Sequence, residues 1–96
     1  MTLEQTAKLM NSSDYKERFL AEYWQTKIRY ERLKKFNTAI EAADVVNSQH
    51  PHRVMEVPAH DCPESMLKHQ QHIMGEYLHT LELRAVIEGI NLEEAK

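Results

Sequence analysis

The sequence predicts an all-α protein: an antiparallel hairpin of two long helices, over about residues 14–46 and 62–88, preceded by a short helix. Three observations lead there. Two Gly and three Pro in 96 residues leave little material for the turns of a sheet. The stretch 14–46 contains neither residue and is rich in good helix formers. Its apolar side chains recur every three or four positions, which is helical rhythm.

The N-terminal residues 1–13 read as a short helix that either docks or frays. Thr2 and Gln5 have the spacing of a capping box, with Leu3, Ala7 and Met10 on one side. Asn11-Ser12-Ser13 interrupts it, because these side chains compete for backbone hydrogen bonds. Asp14 is the expected N-cap of the first long helix, with Glu17 three residues on. One stripe follows through Phe19, Tyr23, Thr26, Tyr30, Leu33, Asn37 and Ile40; Leu20, Trp24, Ile28, Phe36 and Ala43 lie beside it. Thirty-three helical residues span about 50 Å, whereas a compact chain of this length has a radius of gyration of only about 13 Å. The helix is therefore expected either to bend near Asn37-Thr38 or to project and be covered by further copies, and self-association is the preferred expectation.

Residues 47–61 read as the connecting loop. Pro51 ends the helix, Arg53–Val57 alternates weakly as a short edge strand, and Pro58 closes it. Asp61-Cys62-Pro63-Glu64 then has an acidic cap, a first-turn proline and a capping-box glutamate. Leu67, Met74, Leu78, Leu81 and Ala85 form the second helix's stripe, flanked by Ile73, Tyr77 and Ile87. Gly75 suggests a close helix crossing, and Gly89 with Ile90 has the form of a C-terminal cap. All of this reads as one domain, 1–96, and none of it is a repeat.

Composition restricts the chemistry. The formal charge of −3 gives no global pull toward nucleic acid or anionic membranes. The single cysteine, Cys62, leaves no partner for an internal disulfide and fits a reducing compartment. The apolar runs are too short to span a bilayer, and the first dozen residues lack the form of a secretory signal. With only Gly75 and Gly89, no glycine-rich phosphate loop exists, and no nucleophile stands in a recognisable constellation with a base. The chain is thus expected to be no enzyme and to need no cofactor. Six histidines raise a metal question. His60, Cys62, His69 and His72 are the candidate ligands, yet the paired short spacings of structural zinc sites are missing, and no metal is expected.

The informative surface is Lys27 to Lys35, with five cations against one carboxylate in a chain that is acidic overall. Upstream stand Tyr15, Lys16, Arg18, Tyr23 and Trp24. Cations near aromatic faces can hold phosphates and stack on bases. The alternative is a solvated basic face beside an aromatic core stripe, with Glu31 pairing Lys27 or Lys35. The candidate ligand- or partner-binding set is Tyr15, Lys16, Arg18, Tyr23, Trp24, Lys27, Arg29 and Arg32.

Two blocks carry a family resemblance. The first is Asp14-Tyr15-Lys16-Glu17-Arg18-Phe19, Ala21-Glu22-Tyr23, Lys27-Ile28-Arg29-Tyr30-Glu31 and Leu33. The second opens with Cys62-Pro63 and includes Met74, Tyr77-Leu78, Leu81, Arg84-Ala85 and Ile87-Glu88-Gly89-Ile90. Together they resemble the small helical proteins encoded in early regions of phages and prophages of Gram-positive bacteria. The resemblance implies a non-enzymatic accessory protein in the cytoplasm of a bacterial host. It would antagonise host defence by stoichiometric binding, either sequestering a nucleotide immune signal or masking a defence protein. A nucleic-acid-binding accessory in replication or recombination, and a purely structural helical adaptor whose oligomer interface uses Phe19, Tyr23, Tyr30 and Leu33, are the rival expectations.

Overall fold

The computed structural model describes residues 1–49 and 52–93. Among them run helices α1 (Leu3–Met10), α2 (Tyr15–Gln49) and α3 (Glu64–Glu88), and no strand. The architecture is all-α. Helices α2 and α3 form the antiparallel hairpin, and α1 lies against α2.

The capping box of α1 forms as the sequence indicates. Thr2 Oγ1 accepts from Gln5 N at 3.1 Å, and Thr2 N donates to Gln5 Oε1 at 2.8 Å. Helix α1 docks: Thr6 is fully buried in it, as is Ala21 of α2. Asp14 Oδ1 caps α2 by accepting from Lys16 N at 3.0 Å. The reciprocal half of that cap differs from the expectation. Glu17 Oε1 takes the Ser12 hydroxyl at 2.8 Å, and Ser12 Oγ accepts the Asp14 N–H at 3.0 Å, so serine relays the contact.

Helix α2 continues through Asn37-Thr38 as a single element of 35 residues, about 52 Å at 1.5 Å per residue. It sets the longest dimension of the molecule, 56 Å, and a radius of gyration of 17.4 Å. In its far half Ile40 and Ala43 are buried against the rest of the chain, while Val45 is exposed. Beyond the α2 end, the connecting segment lies beside α2: Asn47 Oδ1 accepts from Met55 N at 2.8 Å, and Asn47 Nδ2 donates to Met55 O at 2.9 Å. His60 meets Phe36 edge-on at 6.3 Å. The expected strand over Arg53–Val57 is therefore irregular backbone. One side-chain amide satisfies both polar groups of Met55, doing for that residue what a neighbouring strand would have done. The expected stop at Pro51 lies outside the described residues.

Helix α3 begins later than the acidic cap suggested. Pro63 is its N-cap, without a side-chain hydrogen bond, and Glu64 is its first residue. Its far end closes as read: Gly89 takes the left-handed conformation (φ 69°) and Ile90 N donates to Ala85 O at 2.8 Å. That pairing is the six-to-one bond of a Schellman cap. It turns Ile90 into a core built from Phe19, Tyr23, Leu78, Leu81 and Ala85. Trp24 Nε1 donates to Leu92 O at 2.9 Å and ties the segment after the cap back to α2. The residues flanking the α3 stripe are outside this core: Ile73, Tyr77 and Ile87 are exposed, Ile87 at 82%.

Candidate ligand-binding groove

Between α2 and α3 runs an open groove of about 910 Å³. From α2 come Tyr30, Lys34, Asn37, Thr38 and Glu41; α3 supplies Lys68, Gln71, His72, Gly75, Glu76, His79 and Thr80. A narrower part of about 200 Å³ continues past Tyr30 and Gly75 to Tyr23, Lys27, Glu31, Leu78 and Glu82. Gly75 lies at the waist. The Tyr30 ring packs beside it: a Cβ there would lie 3.4 Å from Tyr30 Cε1, in ordinary van der Waals contact.

The groove follows from the register of the two helices. The stripe of α2 places Asn37 between Leu33 and Ile40, and that of α3 places Gln71 between Leu67 and Met74. Each helix thus brings one amide to a core position, and the antiparallel pairing makes them meet. Asn37, 3% exposed, donates Nδ2 to Leu67 O at 3.1 Å and to Gln71 Oε1 at 2.9 Å. Where leucines would have zipped the helices shut, the amides hold them at a polar contact. Asn37 Oδ1 is buried with no hydrogen-bond partner.

Charge in the groove is mixed. Lys34 makes no ion pair among the described residues, whereas Lys68 Nζ lies 3.2 Å from Glu64 Oε1, which raises the lysine pKa. Lys27 Nζ sits over the rings of Tyr23 and Trp24, 5.6 and 5.4 Å from their centroids, and donates to the Tyr23 hydroxyl at 3.4 Å. Aromatic faces thus hold that ammonium in place. His72 Nε2 lies 3.3 Å from Glu76 Oε1. The threonine hydroxyls are turned back onto their own helix: Thr38 Oγ1 donates to Lys34 O at 2.8 Å and Thr80 Oγ1 to Glu76 O at 3.1 Å.

The sequence-level candidates separate in space. Lys27 lines the narrow part, and Tyr23 reaches it only as a core residue with 5% exposure. Trp24 is half-buried and engaged with Leu92; Arg18 donates Nη1 to Ser12 O at 2.8 Å and braces the α1–α2 junction. Tyr15 belongs to a different cluster, donating to Glu88 Oε1 at 2.9 Å and accepting from Arg84 Nη2 at 2.5 Å. The Glu88 hydrogen bond pushes the Tyr15 phenol above its usual 10.0, and Glu22 does the same to Tyr77. Lys16, Arg29 and Arg32 are exposed and outside the groove lining. Arg29 follows Lys27 by two positions, about 200° around a helix, so the two do not share a face. The four metal candidates do not converge: among the described residues no three His, Cys, Asp or Glu side chains gather as a metal site, and His60 Nδ1 lies 2.7 Å from the Cys62 carbonyl.

Sequence reasoning singled out Lys27 and noted Lys34 in the basic run, but not Asn37 and Gln71. The readable signal was an amide at the same slot of each apolar stripe.

A family model matches residues 13–87, a span holding all of α2, the connecting segment and nearly all of α3. This chain belongs to the Sequestin family. Every residue lining the groove falls inside the span that defines a Sequestin, while α1 lies before it. The family name is consistent with a sequestering role, that is, with binding rather than turnover. No curated protein and no solved structure matches the chain significantly. No helix of this Sequestin, among the described residues, is long and apolar enough to cross a membrane.

Proposed function

We propose that this Sequestin is a non-enzymatic phage protein that binds a nucleotide signal of host defence stoichiometrically, in the cytoplasm of a bacterial host. The observation that carries the reading is the open polar groove between α2 and α3, with its unpaired lysine and its amide pair. A nucleotide needs all that such a groove offers. Lys27 and Lys34 would take phosphate oxygens, and Glu41 or Glu76 would accept ribose hydroxyls, as acidic residues do in dinucleotide folds. Tyr30 lines the waist, and its ring face would be the place for a base to stack. The groove's threonine hydroxyls donate to backbone carbonyls of their own helices, which fits binding better than turnover.

Self-association belongs to the same proposal, on a different surface from the one the adaptor expectation used. Phe19 and Tyr23 are buried in the chain's own core and offer nothing to a partner. The exposed residues Met66, Ile73 and Ile87 fall seven or fourteen apart along α3, the spacing of a helix-pairing seam. Native mass spectrometry of the protein purified from bacteria with an active nucleotide-signalling defence reads subunit number and retained ligand together. An oligomer carrying the mass of a nucleotide is expected. An empty protein recovered with a host polypeptide instead would replace this reading by one of masking a defence protein.

A further inference from the structure

We propose that two copies of this Sequestin pair through α3 in antiparallel register, with Ile73 of each packing on Leu83 of the other. The inference rests on the self-association read above and specifies its face, direction and register.

Half of the large apolar side chains exposed among the described residues, six of twelve, lie on α3. His69, Ile73, Glu76, Thr80, Leu83 and Ile87 are all exposed, and they advance in steps of four, three, four, three and four residues. Such steps keep side chains on one side of a helix and form the seam along which a second helix packs. Leu78, Leu81 and Ala85, which build the core with α2, lie elsewhere around α3. The seam also matches its own reverse. Laid antiparallel on a second copy, it sets Glu76 on Thr80, Ile73 on Leu83 and His69 on Ile87, and each layer recurs across the two-fold axis. The inner layer is thus polar on polar, and the next is apolar on apolar. A seam that pairs with its reverse specifies a second copy of this chain as its occupant, since a foreign helix would have to reproduce the same order of polarity. Direction follows from charge. Parallel pairing lays every seam residue on its own counterpart, so the two Glu76 carboxylates face each other and the two helix macrodipoles point the same way, both unfavourable. Antiparallel pairing offsets the two Glu76 residues by four positions, about 6 Å along the axis. Each then keeps its own His72, 3.3 Å away. Glu76 and Thr80 also line the large groove. The second copy's α3 therefore runs along the rim of each groove.

The test combines native mass spectrometry with thiol crosslinking of the full chain. Cys62, the only native thiol and an exposed one, is replaced by serine in the crosslinking variants. Ile73→Cys and Leu83→Cys are made separately, and each is treated with a short bismaleimide, alone and after the two are mixed. The wild type is expected to hold an even number of subunits. The mixed sample should crosslink and each variant alone should not, because like positions of the two copies stand ten residues, about 15 Å, apart along the axis. Leu83→Glu should keep its helicity by circular dichroism and lose the pairing. A variant that crosslinks with itself as readily as with the other would establish parallel pairing and overturn the proposed direction. An odd-numbered oligomer, an oligomer with no crosslink in any sample, or pairing retained in Leu83→Glu would overturn this face while leaving self-association in place. A monomeric wild type would overturn self-association and this inference together.

Discussion

Leu81→Ala is expected to remove a large share of the fold's stability. Leu81 is 1% exposed at the centre of the core shared by Phe19, Tyr23, Leu78, Ala85 and Ile90. Truncating a buried leucine loses its transfer free energy and leaves a cavity, about 3 kcal/mol in a rigid site. Stability for a chain of this length is typically about 5–15 kcal/mol, and the narrow cross-section here, 25 by 24 Å, favours the low end. The midpoint of thermal unfolding should fall by roughly 15 °C, at about 4–8 °C per kcal/mol. Val86→Ala, five residues on in the same helix but 84% exposed, should change stability by less than about 0.5 kcal/mol. Chemical denaturation of the two variants measures the contrast. Equal losses would mean that α3 does not pack on α2 through this face.

The second large effect is on binding. Replacing Lys27 and Lys34 together with alanine should weaken nucleotide binding by roughly a hundredfold or more. Each charge-assisted hydrogen bond is worth about 1.5–3 kcal/mol, and about 1.4 kcal/mol is a factor of ten. Helicity should be unchanged, since Lys34 is exposed and Lys27 rests on the outer faces of Tyr23 and Trp24. The matched pair Arg29→Ala with Arg32→Ala removes the same charge from the same helix, outside the groove lining. Its affinity should stay within about threefold of wild type, the residual reflecting long-range field alone. Titration of both double variants decides between the groove and a diffuse basic face. A larger loss with the arginines would move the site to the opposite side of α2.

What the sequence made legible follows from how local each cause is. The helices, the Thr2–Gln5 box, the Asp14 cap and the Gly89–Ile90 closure depend on residues within a few positions of one another. Periodicity alone therefore reaches the hairpin. It does not reach the side of each stripe that is covered. Ile73, Tyr77 and Ile87 flank the α3 core stripe in sequence and are exposed in the fold, because α2 covers only one flank. The connecting segment was unreadable for a related reason. Its order comes from Asn47 and Phe36, side chains of the helix before it, and not from its own alternation. The groove is a property of the pair of helices. Asn37 and Gln71 look like isolated polar lapses in two separate stripes until antiparallel register brings them to 2.9 Å. Basic residues close in sequence, by contrast, suggested a cluster that the helix disperses around its axis, leaving Lys27 and Lys34 on the groove and Arg29 and Arg32 off it.

Stoichiometric depletion followed by release tests sequestration most directly. Protein is mixed at increasing ratios with the nucleotide extract of bacteria with an active nucleotide-signalling defence, filtered to remove the complex, and the filtrate is assayed for free nucleotides. The retained fraction is then heat-denatured and its small molecules are identified by mass spectrometry. Free ligand should fall in proportion to added protein and stop falling at a fixed ratio, and heating should return the nucleotide chemically intact. Undepleted ligand, or recovery of a cleaved product in its place, would contradict a protein that acts by holding its ligand.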